Sequence, residues 1–237
     1  MKAQKTIGIT GASGALSQAL IKIFSSNGYK IIGFTHNKNP KIKNDESSLK
    51  LVYWECGKEY LVKDYLKNID ILVLNHGIYE SNLSDLDVEN SIEINALSNL
   101  RLLNLFEDIT FNQENIFYPR EVWINTSEAE ILPAINPSYE ISKSLIGQIV
   151  TFKKNFLTRS ESEKLFIKKI IIGPFKSELN PIGIMSPNLV AFLIYFIAKV
   201  NIFLIIISPN PISYIVFPIK EFYLFIYYQI LKFFKRN

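Results

Sequence analysis

A tyrosine and a lysine four residues apart form the most chemically suggestive pair in this chain of 237 residues. Tyr139 and Lys143 lie in the run 138–154, whose apolar spacing predicts a helix, so their side chains share one face. A free tyrosine hydroxyl has a pKa of about 10, and a neighbouring ammonium favours its ionised form. The pair predicts a proton donor and acceptor, although the same spacing also occurs on ordinary surface helices.

Two further polar residues support the proton-transfer interpretation. Ser127 comes 12 residues before Tyr139, just after the strand-like run 121–125. The carboxyl ends of parallel strands border the ligand crevice of α/β sheets, where a serine hydroxyl can donate to a carbonyl oxygen. Asn95, on the preceding predicted helix, supplies an amide that could hold a water and relay protons through Lys143.

A glycine-rich turn joins the first predicted strand to the first predicted helix. Gly11 permits a tight turn, Gly14 lets the backbone approach a pyrophosphate, and the helix N-terminus offers free N–H groups. Ser17 replaces the third glycine of the usual pattern, and we expect it to loosen helix–strand packing slightly. The turn predicts a dinucleotide phosphate site made by Gly11, Ser13, Gly14, Ala15 and Leu16, with a plain glycine-rich turn as the alternative.

Strand-like and helix-like segments alternate along the chain, which predicts an α/β fold. The expected architecture is a doubly wound parallel sheet of about seven strands with helices on both faces. The predicted strands are 6–10, 30–35, 51–54, 69–74, 121–125, 165–172 and 202–207. The predicted helices are 16–27, 92–106, 138–154 and 189–199. No linker or repeat is evident, so residues 1–237 are interpreted as one domain.

Composition excludes several classes of protein. Hydrophobic residues make up 48% and charged residues 20%, as in a folded globular chain. The net charge is +4 and acids interrupt the basic cluster at 153–169, so we expect a solvated face and no nucleic-acid partner. Cys56 is alone, and neither His36 nor His76 has a metal-ligand cluster around it. No secretory signal pattern precedes the first strand, and we expect a cytoplasmic protein without a metal.

The C-terminal part, residues 185–237, is rich in apolar residues. No charge occurs in 179–198 or in 200–219, but prolines interrupt both runs, so core elements are favoured over a membrane span. The run 222–231 is apolar around its circumference if helical, yet at about 15 Å it is too short to cross a bilayer. We expect 222–237 to contact either a second subunit or a membrane interface, where its terminal cations suit anionic headgroups.

In order and spacing, these motifs resemble those of the short-chain dehydrogenases/reductases. The matching positions are Thr10-Gly-x-x-Gly14, Asn75-x-Gly77, Asn95, Ser127 and Tyr139-x-x-x-Lys143. The resemblance covers essentially the whole chain. It implies a Rossmann fold, a bound NAD(P) and a catalytic tetrad of Asn95, Ser127, Tyr139 and Lys143, with Tyr139 and Lys143 also touching the cofactor.

Four further stretches are similar to the dehydrogenase part of bacterial proteins that fuse a sterol-desaturase-like membrane domain to a short-chain dehydrogenase. These stretches are 124–130, 173–177, 180–183 and 217–222. This resemblance implies cofactor contacts from Gly173, Pro174, Phe175 and Ser177. The sequence departs from the family pattern at Ser17, at Glu130, where glycine is frequent, and in the order Gly173-Pro174; none of these changes removes a catalytic atom.

The strand ends suggest which cofactor binds. Sites that bind NAD(H) place an acid about 20 residues after the glycines, where it bonds the ribose 2′-hydroxyl. In this sequence no acid follows the second strand until Asp45. We expect Thr35, Asn37 and Lys38 to hold a 2′-phosphate, which favours NADP(H) over NAD(H). Asn75, His76 and Gly77 end the fourth strand beside the cofactor; His76 is interpreted as a backbone position rather than a ligand.

The resulting prediction is an NAD(P)-dependent oxidoreductase that interconverts an alcohol and a carbonyl. An apolar loop at 178–187, with Leu179, Ile182, Ile184 and Met185, favours a small apolar or lipid-like substrate, and we expect a homo-oligomer. One alternative is a regulatory or scaffold protein whose catalysis is vestigial, against which the intact tetrad argues. Another is an epimerase or dehydratase, although the chain leaves little room for the large substrate domain that such enzymes commonly carry.

Overall fold

The computed structural model describes residues 4–39, 48–80, 84–114 and 118–236. The strands are β1 (Thr6–Thr10), β2 (Lys30–Thr35), β3 (Leu49–Tyr53), β4 (Ile71–Leu74), β5 (Arg120–Ser127), β6 (Leu165–Ile172) and β7 (Leu204–Ile207). The helices are α1 (Ala15–Ser26), α2 (Lys63–Leu66), α3 (Asp85–Ile92), α4 (Ser98–Phe111), α5 (Pro137–Phe156), α6 (Arg159–Lys164), α7 (Pro187–Ile197) and α8 (Ser213–Arg236). Short 3₁₀ turns occupy Glu59–Val62 and Glu128–Glu130, and a π-turn occupies Glu93–Leu97.

The described strands form one parallel sheet of seven strands in the order β3-β2-β1-β4-β5-β6-β7. Helices cover both faces, which confirms the predicted doubly wound, Rossmann-like fold. The strand order reverses between β1 and β4, and such a reversal opens a crevice at the carboxyl ends of the strands. The glycine-rich turn, the end of β4 and the end of β5 all border this crevice.

Apolar side chains on the two sides of the sheet explain why the layers form. On one side, Leu20, Phe24 and Ile194 of α1 and α7 pack on the sheet. On the other side, Leu103, Phe106 and Ile146 of α4 and α5 belong to a second cluster. All four residues of β4 are buried, as the continuous apolar run in its sequence predicts for a strand covered on both faces. The sheet therefore holds its strand ends rigidly between two packed layers.

The predicted helix at 92–106 is longer in the structure and contains a change of helical type. It begins at Asp85, because Ser84 caps α3 and Asp87 completes a capping box. Few apolar residues lie in α3, so hydrophobic spacing does not reveal it. The π-turn Glu93–Leu97 separates α3 from α4, and α2 and α6 are too short for sequence periodicity to detect.

The apolar C-terminal part forms regular elements of the domain. The expected helix and strand appear as α7 and β7, and α8 then runs for 24 residues. Pro218, which we expected to interrupt the segment, lies inside α8 with its ring exposed, so the helix loses one hydrogen bond without ending. Among the described helices, none combines the length and apolarity that crossing a bilayer requires.

Candidate active site

The glycine-rich turn has the geometry that an anionic ligand needs. Gly11 adopts a φ of +64°, and a Cβ there would lie 3.0 Å from the Cα of His76, so this position requires glycine. Gly14 is the N-cap of α1, and no side chain caps the helix at this end. The first N–H groups of α1 therefore face the crevice together with Ser13, Ala15 and Leu16, as a pyrophosphate site requires.

Ser17 strengthens the contact between α1 and the sheet. Its buried hydroxyl donates to the Thr10 carbonyl over 3.1 Å and accepts from the Asn75 amide over 2.7 Å. The Asn75 oxygen in turn accepts from the Asn125 amide over 2.6 Å. The expectation that Ser17 loosens helix–strand packing is wrong, because its hydroxyl joins α1 to β1 and to the ends of β4 and β5.

His76 is buried beneath the same turn, with both ring nitrogens in contact with hydroxyl groups. Nδ1 lies 2.9 Å from Thr10 Oγ1 and Nε2 lies 3.2 Å from Ser98 Oγ. Burial, together with the positive charges of His36 and Lys143, lowers the pKa of His76 to about 3, so the ring is neutral near pH 7. The imidazole therefore fixes the backbone of the loop after β4, and only that backbone is left to face a cofactor.

Tyr139 stands in the first turn of α5, where local sequence fixes its position. Asn136 caps the helix by accepting from the Tyr139 N–H over 2.9 Å, and Pro137 starts the first turn. The Asn136 amide also donates to the Glu80 carbonyl, which joins this helix end to the loop after β4.

Lys143 lies one turn further along α5, and its ammonium is 5.5 Å from the centre of the Tyr139 ring. Its side chain is 7% exposed, and within the described part of the chain it forms no hydrogen bond or ion pair. The hydroxyls of a bound ribose would supply hydrogen-bond acceptors for this ammonium. A Cβ on Gly77 would lie 3.7 Å from Lys143 Nζ, so glycine there keeps the approach open. These features fit a nicotinamide dinucleotide with its ribose on Lys143.

Asn95 occupies the centre of the π-turn and is completely buried. Its oxygen accepts from the Ile78 N–H over 2.7 Å, and its amide donates to the Ile78 carbonyl and to Ser142 Oγ, each over 3.0 Å. Asn95 thus fixes the loop after β4 against α5. Both amide hydrogens are used inside the protein, and the proposed relay water stays a prediction.

Ser127 is the last residue of β5, at the edge of the crevice. Its oxygen accepts from the Ala129 N–H over 3.2 Å, which leaves the hydroxyl hydrogen available to a substrate oxygen. No hydrogen bond joins Ser127 to Tyr139 within the described residues; such bonds often tighten only when substrate binds.

Sequence reasoning missed Tyr79, a further aromatic residue at the mouth of the site. Its ring centre lies 5.3 Å from that of Tyr139, and it follows Gly77 closely in the loop after β4. No spacing rule marks this residue, because the contact depends on how the loop bends towards α5. Tyr79 supplies an exposed aromatic wall beside Tyr139, the predicted proton-transfer residue.

The loop after β6 folds back on itself beside the crevice. The Pro174 carbonyl accepts from the Ile184 N–H over 3.0 Å, and Phe175 forms a β-bridge with Met185. Ser177 Oγ accepts from the Asn180 N–H over 3.1 Å. Met185, which we expected on the exposed apolar loop, is 8% exposed and packs in the core.

The other residues expected on this loop remain on its surface: Leu179, Ile182 and Ile184. Gly173 lies where the chain leaves β6, and β6 pairs with the end of β5. The loop residues predicted to touch the cofactor therefore start from the neighbouring strand end.

The end of β2 presents the residues predicted to select the cofactor. Thr35 is buried, its hydroxyl lies 3.4 Å from Ser13 Oγ, and it accepts from the Asn37 N–H over 3.1 Å. Asn37 and Lys38 are exposed, and the Lys38 ammonium is 5.5 Å from the centre of the Tyr53 ring. Asp45, the first acid after β2, lies outside the described residues.

Comparison with known proteins decides the family. Residues 7–129 match the model of the NAD dependent epimerase/dehydratase family. The chain belongs to this family. Its fold and its relatives are of the short-chain dehydrogenase/reductase type, which confirms the resemblance found in the sequence. This family membership supports an NAD(P)-dependent enzyme of the oxidoreductase and epimerase type.

A curated relative of this epimerase/dehydratase family member is the monoglucosyldiacylglycerol epimerase of Synechocystis sp.. The two are 38% identical over 229 residues, which make up 95% of this chain and 54% of that protein. The chain therefore spans about half the length of the curated relative that it matches.

Solved structures share the fold at low sequence identity. A Burkholderia cenocepacia short-chain dehydrogenase in complex with NADP is 14% identical with a TM-score of 0.73, covering 87% of this chain and 90% of that one. A Burkholderia phymatum short-chain dehydrogenase/reductase in complex with NAD is 14% identical with a TM-score of 0.74, covering 86% and 88%. At these identities the likeness establishes the fold.

Proposed function

We propose that this enzyme epimerises the sugar headgroup of a glycosylated diacylglycerol by oxidising and then re-reducing one carbinol carbon. The observation that carries the proposal is the Lys143 ammonium 5.5 Å from the centre of the Tyr139 ring, combined with 38% identity to a monoglucosyldiacylglycerol epimerase over 95% of the chain. The exposed apolar loop beside the crevice, with Ile182 and Ile184, suits the lipid part of such a substrate.

The side chains of the crevice have distinct roles in this reaction. A nicotinamide bound in the crevice would supply the acceptor and donor of the hydride. The Tyr139 oxygen takes the proton of the substrate hydroxyl during oxidation and returns one during reduction. The Ser127 hydroxyl donates to the carbonyl oxygen that forms between the two steps, and Lys143 would hold the ribose of the cofactor.

Inversion requires the carbonyl form of the sugar to turn over between the two steps. Tyr79 presents its ring beside Tyr139, and an aromatic ring can pack against either face of a sugar through apolar C–H contacts. Reduction on the opposite face then returns an alcohol of inverted configuration, with no net change in the cofactor. Net alcohol–carbonyl conversion uses the same residues and is the second candidate function.

The two candidates differ in their consumption of cofactor. Purified enzyme is incubated with monoglucosyldiacylglycerol in mixed micelles and a trace of NAD⁺ or NADP⁺. The sugar headgroup of the lipid product is then identified by NMR. Epimerisation gives a second sugar configuration while the absorbance of reduced nicotinamide stays flat. Reduced cofactor accumulating in step with product would establish a net dehydrogenase, and tight cofactor binding without turnover would indicate vestigial catalysis.

We also infer a preference for NADP(H). This rests on Thr35, Asn37 and Lys38 at the end of β2 and on the lack of an acid among the described residues directly after that strand, 36–39. An exposed ammonium and two hydrogen-bonding side chains suit a 2′-phosphate, whereas a free ribose hydroxyl is usually held by a carboxylate.

A further inference from the structure

The C-terminal helix α8 exposes its apolar face and turns three of its charged side chains towards the domain. At 100° per residue, one broad face carries side chains that are all apolar and exposed: Ile215, Ile219, Phe222, Tyr223, Ile226, Ile230 and Phe233. We call these residues the outer face of α8. A surface helix in water normally presents its charged side chains outward, so this arrangement is the reverse of the usual one.

Three charged side chains of α8 contact the domain. Glu221 accepts from the buried Lys169 ammonium over 2.6 Å, and Lys220 donates to Glu130 over 2.6 Å. Lys232 places its ammonium 5.3 Å from the centre of the Phe156 ring of α5. These contacts fix the rotation of α8 about its own axis, so the outer face cannot turn inward to hide its apolar groups.

The start of α8 is also attached to the catalytic end of the sheet. The hydroxyls of Ser208 and Ser213 both donate to Glu128, the residue directly after Ser127. Gly173, at the start of the apolar loop, packs against Ser208, and a Cβ there would lie 2.8 Å from its hydroxyl. The outer face and the exposed loop residues Ile182 and Ile184 therefore start from neighbouring strand ends beside the crevice.

The charge distribution indicates what covers the outer face. No acid occurs between Glu221 and Asn237, whereas Lys235, which is exposed, and Arg236 lie in the last turn of α8. A helix of 24 residues is about 36 Å long, enough to lie flat along a surface. Exposed aromatic and aliphatic side chains on one face, with basic residues elsewhere on the same helix, are the composition that interfacial helices use on anionic membranes.

We propose that the outer face of α8 docks on the surface of an anionic lipid bilayer and holds the crevice beside the lipid headgroups. The choice of a bilayer rests partly on the proposed function, because a diacylglycerol substrate resides in one. Docking would let the headgroup enter the site while its acyl chains remain in the membrane.

The test is flotation of the full-length protein with vesicles that contain no glycolipid, so its result does not depend on catalysis. One set of vesicles is phosphatidylcholine and the other contains about one third phosphatidylglycerol. The variant carries Ile219→Glu and Tyr223→Glu, at positions 63% and 66% exposed. The control carries Leu86→Glu and Tyr60→Glu, at positions 64% and 66% exposed on other surfaces.

The parent and the control should float with anionic vesicles, more than with neutral ones, and the α8 variant should lose at least about tenfold in partitioning. All three proteins should unfold at the same temperature. If the introduced glutamates unfold α8, Ile219→Ser and Tyr223→Ser are used in their place. A parent that does not float, or an α8 variant that floats equally, overturns the proposal. So does a parent dimer that the α8 variant converts to monomer, since a second copy would then cover the face.

Discussion

Lys169 donates to the carboxylate of Glu130 over 2.5 Å, and both side chains are completely buried. Lys169 also contacts Glu221 and the Gly147 carbonyl, while Lys220 reaches Glu130 from α8. Two carboxylates and two ammonium groups thus share one site between β6, α5 and α8. Glu130 stands where the family pattern frequently has glycine, and here it connects the C-terminal helix to the turn after Ser127.

Replacing Glu130→Ala should destabilise the fold strongly. The substitution leaves the buried Lys169 and the nearby Lys220 without their shared carboxylate, and breaking a buried pair typically costs about 3–5 kcal/mol. The measurement is the free energy of unfolding from urea titration. The control is Glu163→Ala, whose carboxylate forms an exposed pair with Arg159 at 3.5 Å and should contribute under about 1 kcal/mol. Equal losses for the two variants would contradict the structural role assigned to Glu130.

Tyr139→Phe should abolish turnover and leave NADPH affinity within a few-fold, because only the transferable proton is removed. We expect a fall in kcat of at least about a thousandfold. Tyr79→Phe is the matched control, since it makes the same change in the neighbouring ring and should keep most activity if Tyr79 acts through its face. A Tyr139→Phe enzyme with near-normal kcat would show that another group moves the proton.

Lys38→Glu should weaken binding of NADPH far more than binding of NADH. Removing the cation beside the expected 2′-phosphate and adding a repelling carboxylate should raise the Kd for NADPH by at least about tenfold. The control is Lys50→Glu, an exposed lysine of β3 that makes the same change in net charge. Both constants are measured by fluorescence titration at one ionic strength. Parent protein that binds NADH more tightly than NADPH would refute the cofactor assignment.

His76 should make the fold sensitive to mild acid. Burial lowers the pKa of His76 from 6.5 to about 3, so the unfolded chain binds a proton at pH values where the folded protein does not. This contribution to stability is complete above the unfolded pKa and is lost as pH falls from there towards the folded value, by about 1.4 kcal/mol per unit at most.

The pH dependence can be isolated with His76→Gln, which removes the titrating ring but retains hydrogen-bonding groups. Urea unfolding of both proteins at about pH 7.5 and about pH 5 should give a smaller loss of stability for the variant. Identical losses would mean that the neutral, buried state assigned to His76 is wrong.

The alternation of strand-like and helix-like segments predicted the seven-stranded sheet, and the continuous apolar run of β4 marked a strand buried on both faces. The same reasoning placed Tyr139 and Lys143 together, since helical spacing fixes neighbours within one turn. It could not place Tyr79, which reaches Tyr139 through a loop, nor Ser17, whose effect depends on Asn75 far along the chain. The orientation of α8 could not be predicted from the sequence either, because it depends on ion pairs with residues of other elements.

The π-turn Glu93–Leu97 interrupts the helical segment that runs from α3 into α4. A π-turn holds one residue more than an α-turn, so everything after it is rotated by about 100° relative to an uninterrupted helix. Asn95 thereby faces Ile78 and Ser142, while Leu103 and Phe106 still face the core. Deleting one residue here would produce a regular helix with every backbone group satisfied, yet it would point either Asn95 or the core residues the wrong way. The position of Asn95 in the candidate site therefore depends on the number of residues along this helix. A substitution leaves that number unchanged.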